Sequence, residues 1–342
     1  MIGTVKILLD SHFFYPSVGG VEMMSEGLAR AWESQDHRVT VVTDTPRNGH
    51  EELRDLEVVR GPSIGKRIRL AQWADVFVRS GNSLKSLPWP VLTGTPHVTI
   101  HHRPLAESHM GSVRRLMERG ATYLCHNVAV STAVAETIPG RTITIPNTFR
   151  TTFDQPGADE ENREGLLLVG RLVSRKGVDV AIEALHHLRN KGVEQTLTIC
   201  GDGPERETLE AKVRQIGLED PIRFEGWTSP EELTEKYRTA SVTLVPSRKE
   251  PFGIVALESI ASRCPVVASD VGGLPEAVGD CGILTEPEHP EALADGIEQA
   301  LRPDVRESLH AAMPEHVDRH RIDCIADEYI DVLHSVANGA EG

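Results

Sequence analysis

The chain has 342 residues, enough for two domains of ordinary size. With 39% hydrophobic and 25% charged residues it has the composition of a globular protein, not a disordered one. The formal net charge of −15 excludes a general nucleic-acid binder, which needs a basic face to neutralise phosphates. In chain order, 5–10 (VKILLD) predicts a buried strand, 21–33 a helix and 38–43 (RVTVVT) a second strand. Short strands are expected at 75–79, 98–100, 127–131 and 142–145, with Ser131 or Thr132 capping a helix.

After a polar stretch at 154–164 the pattern restarts. Strands are expected at 166–169, 196–200, 222–225, 242–245, 266–268 and 282–284. Helices are expected between or after them at 178–189, 206–216, 231–239, 253–262 and 290–301, and a last one at 322–337. Strands separated by helices imply parallel βαβ units. The expected class is therefore α/β, two doubly wound Rossmann-like domains facing each other across a cleft. The boundaries are 1–157, 158–321 and a terminal helix at 322–342 packing back on the first domain. Residues 1–160 hold equal numbers of basic and acidic side chains, so the second domain carries the acidic excess.

Five cysteines, an odd number without a C-x-x-C pair, read as reduced core thiols. With no signal-peptide core at the first residues and no run of ~20 apolar residues, a cytoplasmic location is expected. Two basic clusters, Lys66-Arg67-Arg69 and Arg114-Arg115-Arg119, leave peripheral contact with the inner membrane surface open, the alternative being solvated charge.

In open parallel sheets, ligands sit beyond the carboxyl ends of the strands, so chemistry is sought in strand-to-helix loops. Gly19-Gly20 open the first helix and let backbone approach a ligand, but no G-x-G-x-x-G fingerprint is present. Arg171, Arg175 and Lys176 cluster after the strand at 166–169, where cations and a helix N-terminus suit a diphosphate. The loop from Ser247 to Glu250 leads through Phe252 to a helix whose first amides, at Gly253, Ile254 and Val255, have no partner within the helix. Further along lies Glu258, a carboxylate able to accept paired bonds from vicinal hydroxyls.

Together GGVE, GRLVSRKGVDVAIEAL, ICGDGPERETLE, TLVPSRKEPFGIVALESIA and PVVASDVGGLPEAV resemble the GT-B-fold, retaining glycosyltransferases of family 4, over nearly the whole length. Glu250 and Glu258 reproduce the family's E-x7-E pair. The resemblance implies a UDP- or GDP-sugar donor lying mainly on the second domain. Arg171 and Lys176 would neutralise its diphosphate, aided by the amides of Gly253, Ile254 and Val255 in the turn after Phe252. Glu250 would hold the transferred sugar and Glu258 the ribose, while Gly19 and Gly20 would reach the donor from the first domain. His101 best matches the family's site histidine, with His102 beside it as the other choice. Asn147 would have a supporting role, and the turn of Gly201-Asp202-Gly203-Pro204 a purely conformational one. No D-x-D occurs, which fits transfer without a metal or other cofactor. The acceptor, whether lipid-linked, saccharide or small molecule, stays open. The competing readings are a GT-B epimerase or phosphorylase and a binding protein with an inactive site.

Overall fold

The computed structural model describes residues 3–339 except 18, 48, 50–52, 54, 106–111 and 155–162. It divides into two compact units, Met1–Thr148 with Arg321–Gly342, and Phe149–His320. The division precedes the expected 157/158 boundary. Packing is the reason: the Phe153 ring stands edge-on to Tyr237 with centroids 5.5 Å apart, and the Ser262 hydroxyl donates to the Phe153 carbonyl. These contacts tie residues just after 148 to the second unit. Most of the stretch expected as a linker lies outside the described residues.

The first unit contains β1 (Lys6–Ser11), α1 (Gly20–Ser34), β2 (Arg38–Thr43), β3 (Glu57–Arg60), α2 (Ile64–Trp73), β4 (Val76–Ser80), α3 (Pro88–Thr93), β5 (His97–His101), α4 (Ser112–Ala121), β6 (His126–Ala129), α5 (Thr132–Ala135) and β7 (Thr142–Thr144). Its strands pair in parallel in the order β3-β2-β1-β4-β5-β6-β7. Apolar runs become central strands because parallel sheets are covered on both faces; Ile7, Leu8 and Leu9 are all buried. Ala71 of α2 packs with Leu8, Val42, Val59 and Phe77. Ser131 caps α5 by accepting from the Val134 amide at 3.2 Å. β3 and α2 were not expected: β3 is a four-residue edge strand, and the basic residues of α2 mask its apolar positions.

The second unit contains β8 (Leu166–Val169), α6 (Val178–Asn190), β9 (Leu197–Cys200), α7 (Arg206–Gln215), β10 (Ile222–Gly226), α8 (Pro230–Thr239), β11 (Val242–Val245), α9 (Ile254–Ala261), β12 (Val266–Ser269), α10 (Leu274–Val278), β13 (Gly282–Thr285), α11 (Pro290–Leu301) and α12 (Pro303–Arg319). Its parallel order is β10-β9-β8-β11-β12-β13. The core includes Leu168, Ile182, Leu185, Ile199, Leu244 and Ile297. α12 was not expected because Pro314 interrupts its pattern, yet the helix runs through it. The last helix, α13 (Ile322–Ala337), returns to the first unit: Tyr329 stands edge-on to Trp32 with ring centroids 6.2 Å apart. No helix among the described residues is long and apolar enough to cross a membrane.

Candidate active site

Strand order reverses between β8 and β11 in the second unit, which opens a crevice beyond their carboxyl ends. The β8 loop and the β11 loop meet there. Lys176 Nζ donates to Glu250 Oε2 at 2.5 Å, with side chains 17% and 11% exposed. The Ser247 hydroxyl donates to the same oxygen at 3.3 Å. Arg248 ties the two loops from outside: its amide donates to the Arg175 carbonyl at 2.8 Å, and its guanidinium takes both oxygens of Asp179 at 2.9 and 2.7 Å. Such a bidentate fork fixes geometry as well as charge. Gly177 permits the approach, since a Cβ there would lie 1.9 Å from the Pro246 carbonyl oxygen and φ is +63°. Arg171 is exposed at the start of the β8 loop. The turn after β9 supports that loop, the Leu172 amide donating to Asp202 O at 3.0 Å.

Gly253 ends the β11 loop, and α9 starts at Ile254, so the first-turn amides of α9 open beside Glu250 in sequence and offer partial positive charge. Ile254 and Val255 are half-buried. Phe252 was expected at the donor; its side chain is instead buried in the core, its ring 6.2 Å from that of His320. Glu258 lies one turn into α9, below Ile254 on the same face. It is 4% exposed and held by Arg150 Nη1 at 3.1 Å on Oε1 and the Tyr237 hydroxyl at 3.4 Å on Oε2. Burial pushes its carboxyl up to about 7, against the opposing pull of Arg150.

In the first unit the order reverses between β1 and β4. A chain of hydroxyls lies at their carboxyl ends: Ser11 to Ser25 at 3.1 Å, Ser25 to Ser80 at 2.8 Å, and Ser80 to His102 Nε2 at 3.0 Å. His101 points elsewhere. It is 2% exposed, with Nε2 3.0 Å from Asn127 Oδ1 and Nδ1 buried without a partner among the described residues. Burial pulls both histidines down to about 4, so both rings are neutral near neutral pH. Gly19 precedes α1 in extended conformation, and Gly20 is its exposed first residue. Asn147 is buried near the end of this unit.

Residues 149–315 match the family described as "Glycosyl transferases group 1". Residues 149–315 are a group 1 glycosyltransferase domain. Over 206 residues the chain is 37% identical to a D-inositol 3-phosphate glycosyltransferase of Acidothermus cellulolyticus, covering 54% of this chain and 46% of that protein. Over 180 residues it is 32% identical to an alpha-D-kanosaminyltransferase of Streptomyces kanamyceticus, covering 52% of this chain and 47% of that one. The matches thus span about half the length of these curated relatives. Among solved structures, Anabaena HepE in complex with UDP-glucose superposes with a TM-score of 0.80 at 20% identity, over 97% of this chain and 100% of that one. Sucrose-phosphate synthase from Thermosynechococcus elongatus does so with a TM-score of 0.80 at 23% identity, over 98% and 100%. At these identities the likeness shows the fold, which is GT-B.

Within the glycosyltransferase domain, sequence reasoning singled out Lys176 and Glu250 separately, and the fold brings them into contact. Arg248 lies in the loop of Glu250 without an expected role, and Asp179, Arg150 and Tyr237 were not expected at the site. Asp179 carried one signal, an acid in the first turn of a helix entered from a basic loop. The Arg150–Glu258 pair spans 108 positions and left no local trace.

Proposed function

We propose that the chain is a retaining glycosyltransferase that moves a sugar from a UDP- or GDP-sugar to an acceptor hydroxyl without a metal ion. The observation that carries this reading is the Lys176–Glu250 pair at the β8/β11 crevice, beside the N-terminus of α9 in a group 1 domain. The donor diphosphate shares the Lys176 ammonium, and Arg171 and the amides of Gly253, Ile254 and Val255 complete its neutralisation. Charge developing on the leaving phosphate is thereby stabilised, where most of the barrier reduction is expected. Freed from part of its bond to Lys176, Glu250 accepts from the sugar hydroxyls. Glu258 accepts from the ribose, exchanging its bond to Arg150 for donor hydroxyls.

In a front-face step the anomeric C–O bond to the diphosphate breaks as the bond to the acceptor oxygen forms on the same face. The departing phosphate oxygen takes the acceptor proton, so atoms and charge balance without a protein nucleophile. In this reading, which rests on the resemblance, Gly19 and Gly20 act on the donor sugar from the first unit, and the site histidine is His102, at the end of the hydroxyl chain, because His101 is buried against Asn127. HepE with UDP-glucose supports the UDP arm by its fold. The place of action is the cytoplasmic side, with peripheral contact at the membrane surface through the first unit. Lys176→Ala and Glu250→Ala are each expected to lower transfer about tenfold or more while keeping the melting temperature, and a chelator is expected to change nothing. Undiminished transfer by both variants overturns the site assignment, and a divalent-ion requirement overturns the metal-free step.

A further inference from the structure

One carboxylate holds both ends of the turn that opens the second unit. That unit begins at Phe149, and Thr151–Phe153 form a single tight helical turn. At its start, Arg150 Nη1 donates to Glu258 Oε1 at 3.1 Å. At its end, the buried Phe153 ring stands against Tyr237, whose hydroxyl donates to Glu258 Oε2 at 3.4 Å. The amides of the turn are bonded locally, Phe153 to the Arg150 carbonyl at 2.9 Å and Asp154 to the Thr151 carbonyl at 3.1 Å. Glu258 is not saturated by its partners. A carboxylate has about four lone-pair positions, and two side-chain donors reach this one among the described residues. The 3.4 Å bond is long for a hydroxyl donor, so Oε2 in particular has capacity left. The two members of the ion pair differ in where they can go. The Glu258 side chain is 6% exposed and fixed on α9, whereas that of Arg150 is 26% exposed. A released guanidinium keeps its charge in water, while a carboxylate left without donors would be stranded.

We propose that Arg150 is a latch on residues 149–154 that the ribose of the donor releases. When the vicinal hydroxyls of a ribose donate to Glu258, the guanidinium gives up Oε1 and turns to solvent. The turn then keeps its anchor at Phe153, where the Ser262 hydroxyl donates to the carbonyl at 3.2 Å, and loses the one at Arg150. The first residues of the second unit are thus held tightly in the free chain and loosely in the nucleotide complex. A diphosphate without a ribose occupies the Lys176 end of the site and leaves the ion pair closed. So does a nucleotide whose sugar lacks the hydroxyls, because it offers a buried carboxylate no donor in exchange for the charged one. The latch therefore answers to a ribonucleotide and not to anions in general. The inference rests on the functional reading above for placing the ribose at Glu258, and adds the regulation of that site through Arg150.

The test is hydrogen exchange of the full chain, read by mass spectrometry on peptides covering residues 149–154. It is run without ligand and with saturating UDP, GDP, the 2′,3′-dideoxy form of each, and pyrophosphate. UDP or GDP, whichever raises the melting temperature, is expected to speed exchange of the Phe153 and Asp154 amides about tenfold, the scale of losing one charge-assisted bond. The dideoxy forms and pyrophosphate are expected to leave the turn at its ligand-free rate. In Arg150→Gln the turn is expected to exchange fast without ligand and to give no response to the nucleotide. A nucleotide that stabilises the chain while the turn keeps its ligand-free rate overturns the proposal. So does an equal response to pyrophosphate or to the dideoxy form, or a nucleotide response that persists in Arg150→Gln. If neither nucleotide raises the melting temperature, the transferase reading itself fails, and the latch falls with it.

Discussion

Glu258 is a carboxylate placed where burial works against its charge. Its carboxyl is raised to about 7, above the 4.5 of an exposed glutamate, with Arg150 and Tyr237 as its polar neighbours. A raised acid holds its proton in the folded chain over a range where the unfolded chain has released it. Its contribution to stability is therefore lost as pH rises through the window between those two values. Glu258→Gln keeps the shape and removes the titration. The melting temperature of the variant relative to wild type is expected to rise as pH goes from about 5 to about 8, and a constant difference would refute the assignment. The sequence pointed to Glu258 by its place on the helix after the β11 loop and by its spacing from Glu250. Its burial could not be read locally, because the side chains that enclose it come from distant segments.

At the scale of elements, the strand-to-helix loops are held together by backbone contacts that tolerate no side chain. Gly272 has φ +57°, and a Cβ there would lie 2.0 Å from the carbonyl oxygen of Glu250. The amide of Gly273 donates to the same oxygen at 3.0 Å. The loop after β12 thus braces the backbone of Glu250. Gly192 also has positive φ, +79°, but has nothing within 4 Å of a Cβ, and it serves as the control. Gly192→Ala is expected to cost about 1 kcal/mol through φ alone. Gly272→Ala adds a backbone clash and displaces Glu250, so both the melting temperature and the donor-induced melting shift should fall further. Equal losses in the two variants would show that the brace has no role. Strands with strong apolar runs, such as β1 and β11, were legible from sequence. β3 was not, because only Val58 and Val59 mark it, and a four-residue edge strand is held by its neighbour more than by its own pattern.

At the scale of the whole molecule, α13 packs against α1 within the first unit. Trp32 is fully buried, and its indole Nε1 donates to the Ala326 carbonyl at 3.4 Å. Gln35 donates to Asp327 at 2.7 Å. Ile325, Tyr329 and Leu333 of α13 are buried. Truncation after His320 strips this cover from α1. The truncated chain is expected to melt in two steps, the first unit lower than in the full chain and the second unchanged, as followed by calorimetry. A single unaltered transition would show that α13 is dispensable.

The sequence by itself determined the local grammar: which runs become buried parallel strands, which glycine-bearing loops follow them, and which family signatures those loops carry. These depend on periodicity and turn chemistry within a few residues. Tertiary structure alone decided the partners. Lys176 meets Glu250 across 74 positions because β8 lies beside β11, and α4 shows its apolar side outward because its inner face covers a polar cavity. Strand order and helix rotation are set by the competition of all core contacts at once, and no local pattern along the chain encodes that outcome.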